Sequence, residues 1–149
     1  MPNTNQPLAL YRQNELYDER EFQVGQVYYI RDDLVVIPDA DRIVPGRVIH
    51  EGRMVVIAHN SQYNTDPIWP LIHIAPIGHR TDLMRALDIE VKKSACSWLR
   101  FDSMIKLALV QPVLKVDLER MVGQLTRDKV AELVSMQEDL LLGSVEELE

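Results

Sequence analysis

Apolar residues in this chain fall into short runs divided by turn-forming residues, until a helical stripe takes over near the C-terminal end. In PLALYRQNELYDEREFQ (7–23), Leu8, Leu10, Tyr11, Leu16 and Tyr17 keep a rough helical rhythm with acids behind them, which predicts a short helix or ordered arm over 1–24. After Gly25 the β-branched and aromatic run VYYI (27–30) predicts a strand. Asp32-Asp33 predicts a turn, LVVI (34–37) a second strand, and Pro38-Asp39 its end. Past the turn at Pro45-Gly46, RVI (47–49) reads as a short strand. RMVVIAH (53–59) is nearly continuous in apolar residues, as expected of a strand buried on both faces.

NSQYNTDP (60–67) is rich in turn formers and predicts a loop. IWPLIHIAPI (68–77) reads as a strand interrupted or bulged at its prolines. Residues 78–95 read as a long, partly irregular connection, and SWLRFD (97–102) and IKLALVQPVLKV (105–116) as further strands. In LTRDKVAELVSMQEDLLLG (125–143), Thr126 is a good N-cap, Leu125 and Val130 take the two staple positions, and Gly143 is a natural stop. Val130, Leu133, Val134, Leu140 and Leu141 are predicted to share one face. The expected architecture is mostly β with α: short strands in a small curled sheet or barrel over 25–143, closed by a C-terminal helix, with an acidic tail over 144–149.

The 149 residues are 46% hydrophobic and 26% charged, which suits one domain with its own core. No apolar stretch approaches the ~20 residues that span a bilayer, and the first residues lack the basic-then-apolar order of a signal peptide, so a cytoplasmic protein with no membrane partner is expected. The single Cys96 excludes a disulfide framework within the chain, and the four histidines have no metal-site spacing, so neither metal nor other cofactor is expected. A net charge of −7 argues against sequence-blind binding to nucleic acid, but the charge is uneven. Residues 1–40 carry −4 and 107–149 carry −5, whereas 41–106 carry +2 together with His50, His59, His73 and His79. A polyanion would bind the middle of the chain.

Candidate chemistry lies in that middle segment. Arg100 and Asp102 are two apart, so on a strand they share a face, either as a surface ion pair or as a reactive pair. Histidine is the side-chain type suited to acid or base work near neutral pH, so His50 could share it, or be a loop histidine, with Glu51 beside it. Arg53, at a strand start, could clamp a phosphate or simply end the strand with a charge. His79, Arg80 and Thr81 follow Pro76-Ile77-Gly78, and Thr81 or Asp82 could instead cap a short helix. His59 and His73 sit in apolar strands and read as structural, and Trp69 and Trp98 as core.

Four stretches, in order, resemble the MazF/PemK/Kid family of toxin ribonucleases. They are Gly25-Gln26-Val27-Tyr28-Tyr29, then His50-Glu51-Gly52-Arg53-Met54-Val55-Val56-Ile57 followed by Tyr63-Asn64, then Ile72-His73-Ile74-Ala75-Pro76-Ile77, and Leu99-Arg100-Phe101-Asp102-Ser103, which is similar to the Kid branch's V-R-C-D-Q. The closing helix, 122–143, is similar as well, and the resemblance covers roughly residues 24–143. The chain departs from the family pattern where R-P becomes Arg53-Met54, where Gly78-His79 replaces a hydroxyl residue, and in the extra segment between residues 30 and 50.

The resemblance implies an SH3-like small β-barrel, usually a homodimer, that cuts single-stranded RNA without a metal and is neutralised by an antitoxin protein. It implies Asp102 as base and Arg100 as acid or phosphate stabiliser, supported by His50 and Arg53, with Glu51, His79, Arg80 and Thr81 as substrate-binding residues. The alternative is the same barrel with catalysis lost, serving as a protein-binding module that inhibits or regulates a partner.

Overall fold

A computed structural model describes residues 7–143 of the protein; the expected acidic tail lies outside the described residues. The strands are β1 (Gln26–Ile30), β2 (Arg53–Ile57), β3 (Leu71–Gly78), β4 (Asp88–Val91), β5 (Ser103–Lys106), β6 (Gln111–Leu114) and β7 (Met121–Gln124), with helices α1 (Pro38–Asp41) and α2 (Arg127–Leu142). All pairings are antiparallel, in the order β4-β5-β3-β2-β1-β7, with β6 added to β3. β3 changes partner along one edge: Leu71–Ile74 pair with β6, and Ile77 and Gly78 pair with β5. The sheet therefore curls into a half-barrel. Between its ends, β4 and β7, α2 packs against β4, and the Trp98 indole donates to the Gln124 carbonyl at 3.1 Å.

At β2 both faces of the sheet are buried, which is why its sequence has no polar alternation. Val56, with Val27, Ala75, Ile77, Ile105 and Leu133, packs in the core beneath α2. Val55 and Ile57 point the other way, into a second core with Phe22, Tyr28, Ile30, Ile72, Ile74 and Leu118. At roughly 1.5–3 kcal/mol per fully buried large aliphatic or aromatic side chain, these two layers supply the main stabilisation. Helix α2 starts as its sequence dictates: the Thr126 hydroxyl accepts the Lys129 N–H, while Leu125 is buried and Val130 packs on the same core. Its first turn presses on Gly25, where φ is +91° and a Cβ would lie 2.5 Å from Val130 Cγ2. Among the described residues no helix is long and apolar enough to cross a membrane.

Several local expectations give way to tertiary context. LVVI (34–37) is no strand: it lies between a 3-10 turn, Asp32–Leu34, and α1. Its alternation is still used, since Val35 and Ile37 are buried and Val36 is 58% exposed. Among the described residues no strand lies alongside Val36. The Gln111 side chain takes that place, accepting the Val36 N–H and donating to its carbonyl, both at 2.9 Å. RVI (47–49) is likewise irregular, held by side chains described below. SWLRFD (97–102) turns instead of extending, because Trp98 lies flat over Gly123. IKLALVQPVLKV (105–116) breaks at a 3-10 turn, Leu107–Leu109, into β5 and β6, while DIEV (88–91), expected to be irregular, forms β4.

Among its described residues, the arm before β1 contains one 3-10 turn, Gln13–Leu16. It is moored by Arg20, which pairs with Asp18 and donates to the carbonyls of Lys115, Leu118 and Glu119. The far turns of α2 run past the sheet, so Leu133 is buried but Leu140 and Leu141 are exposed, departing from the predicted common face. Trp69 is also 44% exposed and stacks on Tyr63 at 4.7 Å instead of joining the core.

Candidate active site

The segment joining β1 to β2 is folded onto the barrel through one carboxylate. Asp32 is fully buried, and three groups of the following chain converge on it. Arg47 Nη1 donates to its Oδ1 at 2.6 Å, Arg53 Nε donates to the same oxygen at 2.5 Å, and the His50 N–H donates to Oδ2 at 2.9 Å. Burial pushes the Asp32 carboxyl upward. The hydrogen bonds from Arg53 and the His50 N–H and the adjacent arginine charges outweigh it and hold the group below the ordinary carboxylate range. Arg47 is committed entirely to structure, donating also to the carbonyls of Asp32 and Val35 and to the Asp41 carboxylate. Burial alone would lower its pKa, but the bonds to Asp32 and Asp41 raise it above the ordinary value.

Arg53 is held differently. Its Nε is fixed by Asp32 and its Nη1 donates to the Ile77 carbonyl at 3.1 Å, while Nη2 has no protein partner among the described residues. The guanidinium is thus oriented on two sides and keeps donors for an anion. It opens into a cleft of about 750 Å³, within the ~300–1,000 Å³ range usual for ligand sites. Ile37, Ala40, Val48, Leu83 and Met104 give the cleft apolar walls, and His50, His79, Arg80, Arg85 and Lys106 line it with Arg47 and Arg53. Asp39 is the one acid in the lining.

The structure gathers four of the eight expected site residues here: His50, Arg53, His79 and Arg80. Arg80 grips Asp82 with two bonds, Nε to Oδ1 at 3.0 Å and Nη2 to Oδ2 at 2.9 Å, on the exposed rim. Thr81 opens the 3-10 turn Thr81–Leu83 without capping it, and Asp82 is engaged with Arg80. Glu51 is exposed and stands outside the lining.

Arg100 and Asp102 are not on a strand. Both are exposed in the bend before β5, they form no ion pair with each other among the described residues, and Asp102 Oδ1 accepts the Lys93 N–H at 3.0 Å. Their link to the cleft is Phe101, 61% exposed, whose ring lies 5.6 Å from that of His79. His59 and His73 stack on each other at 4.8 Å near the other end of β3, some ~16 Å from Gly78 by strand rise.

Two residues that matter to the cleft had no signal in the sequence. Asp32 reads as half of a turn dipeptide, and nothing local distinguishes it from Asp33, which stays near the surface paired with Arg31. Lys106 falls within the run IKLALVQPVLKV (105–116), read as a strand, with nothing to mark it out.

Comparison with known proteins speaks to the fold. No family model matches the sequence, and no curated protein does. Among solved structures, the Mycobacterium tuberculosis toxin MazF-mt6 matches with a TM-score of 0.54, covering 78% of this chain and 95% of that one at 17% identity. The chain has the MazF-like fold. The half-barrel and C-terminal helix are those the sequence motifs implied, and in this chain the cleft lies at the end of β3, where β2 and β5 flank it. At this identity the likeness concerns architecture, and the activity must be argued from the residues in the cleft.

Proposed function

We propose that this protein is a metal-independent endoribonuclease that cuts single-stranded RNA in the cleft between β2, β3 and β5. In this reading it acts as a homodimeric growth inhibitor in the cytoplasm, held in check by an antitoxin protein. The observation that carries the reading is the cleft itself. A protein with a net charge of −7 places there a pre-oriented arginine with free donors, two histidines and an apolar wall.

These groups suffice for transesterification. A neutral imidazole, His50 or His79, takes the proton of the ribose 2′-OH. The 2′-oxygen then attacks the adjacent phosphorus, the bond to the 5′-oxygen breaks, and the other imidazole, protonated, gives its proton to that oxygen. The products are a 2′,3′-cyclic phosphate and a 5′-hydroxyl. Arg53 faces the phosphoryl oxygens as charge develops on them, and because Asp32 and the Ile77 carbonyl already hold it, little reorganisation is needed. The apolar wall offers a base or ribose a dry surface, and Phe101 beside His79 offers a stacking face at the rim. In this arrangement Arg100 and Asp102 border the RNA path instead of meeting the reacting phosphate, and Glu51, Arg80 and Thr81 lie along the approach.

The test is incubation of the purified protein with a long single-stranded RNA in EDTA, beside Arg53→Ala and His79→Ala. Discrete fragments ending in 2′,3′-cyclic phosphate are expected from the parent protein and at least ~10²-fold less from each variant. Intact RNA after incubation with a folded parent protein would refute the reading and favour a catalytically silent protein-binding module on the same fold.

A further inference from the structure

We propose that Lys106 is a substrate-contacting residue, a phosphate-binding cation laid across Gly78; this rests on the ribonuclease reading of the cleft. Five cationic side chains line the cleft, and four are engaged by acids: Arg47 with Asp32 and Asp41, Arg53 with Asp32, Arg80 with Asp82 and Arg85 with Asp39. Lys106 has no ion pair or hydrogen bond from its side chain among the described residues. Asp88 stands directly opposite it across the β4–β5 ladder, yet its Oδ2 accepts the Arg85 N–H at 2.9 Å and it forms no ion pair with the lysine. In an acidic protein an unpaired cation in a cleft is the exception. It can meet an anionic ligand without first giving up a partner.

The backbone shows how Lys106 gets there. A Cβ at residue 78 would lie 3.2 Å from Lys106 Cε, closer than a side chain normally packs, so the glycine lets the lysine stem cross the end of β3. Arg53 reaches the same end from the other side, donating to the Ile77 carbonyl. Since β2 and β5 flank β3, a guanidinium and an ammonium approach residues 77 and 78 from opposite strands. The two cations have different geometries. Arg53 is a fixed fork, and Lys106 is a mobile point charge with three donors that can follow a phosphate as its geometry changes.

Lys106→Gln, Lys106→Arg and Gly78→Ala can test this on two readouts. The first is binding of a labelled 2′-O-methyl RNA oligonucleotide, which cannot be cleaved, over a series of salt concentrations. Loss of one phosphate contact lowers the slope of log K against log salt by ~0.7, so Lys106→Gln should show that drop and Lys106→Arg should not. The second is cleavage of ordinary RNA, where Lys106→Gln should lose on the order of 10²-fold in kcat/KM. Gly78→Ala, which displaces the stem, should lose less, and should add nothing in the Lys106→Gln background.

A Lys106→Gln protein with the parent's salt slope and cleavage rate would overturn the proposal while leaving the ribonuclease reading intact. A parent protein that binds the oligonucleotide but cleaves no RNA would refute the ribonuclease reading alone, and the slopes would still decide whether Lys106 meets a phosphate.

Discussion

Replacing Asp32 by Asn isolates the electrostatic role of one buried carboxylate at almost constant volume. Asp32 is fully buried, and its arginine partners expose only 11% and 16% of their side chains, so the charges have little water to fall back on. Asparagine keeps one acceptor for Arg47, Arg53 or the His50 N–H, but its amide points donors at a group of donors. Breaking a buried pair by removing one partner costs about 3–5 kcal/mol, and for a domain of this size each kcal/mol moves Tm by ~2–4 °C. Asp32→Asn should therefore melt ~6–20 °C below the parent at pH 7, read by circular dichroism.

The pH dependence supplies the sharper test. The carboxyl of Asp32 is held below its ordinary value of 3.8 in the folded state. Its contribution is fully present above that ordinary value and is lost as pH falls through the lower folded value. The difference in Tm between parent and variant should be constant from pH 7 to about 5 and shrink as pH falls below ~4. A variant that melts within about 2 °C of the parent, or a gap that stays constant down to pH 3, would refute the assignment of Asp32 as the charged anchor of the inserted segment.

Other predictions follow from single contacts. Asp102→Asn preserves an acceptor for the Lys93 N–H, so it should fold like the parent and keep most of its cleavage; loss of cleavage with Tm unchanged would return the chemistry to the Arg100–Asp102 bend. Gly123→Ala drives a Cβ into Trp98 Cδ1 and should expel the indole, destabilising by roughly 1–3 kcal/mol with a red shift in tryptophan emission. Lys115 is fully buried, its ammonium donating to the carbonyls of Tyr63 at 2.6 Å and Asp66 at 2.9 Å. Lys115→Met should remove both charge-assisted bonds and leave each carbonyl only the backbone N–H it also accepts, that of Asp66 or of Trp69, at a cost of about 1–3 kcal/mol in total, which urea unfolding would measure.

What the sequence announced and what it hid divide along a physical line. β2 and α2 are legible because their signals are local: an unbroken β-branched run in one, a cap, a staple and a stop in the other. LVVI (34–37) misleads because its alternation is genuine, yet its neighbour is a glutamine side chain from 75 residues downstream of Val36, which no local pattern encodes. IKLALVQPVLKV (105–116) misleads because β3 changes partner beside it, and the 3-10 turn at Leu107–Leu109 lets the chain follow. The site behaves in the same way. Arg53, His50 and His79 stand out by residue type, whereas Asp32 and Lys106 acquire meaning only from what the fold sets beside them.

Strand order also has a consequence in time. Every residue lining the cleft lies between positions 37 and 106, so the whole set is synthesised before β7 and α2. The β1–β2–β3 meander can pair as it emerges, but the edge of β1 waits for β7, and Val27 waits for Leu125 and Leu133 to cover it. Until then the core beneath the cleft is open to water and the walls have no firm backing. The nascent chain thus carries its chemistry early and its rigidity late, and whatever the cleft does, it begins to do only once synthesis has passed residue 133.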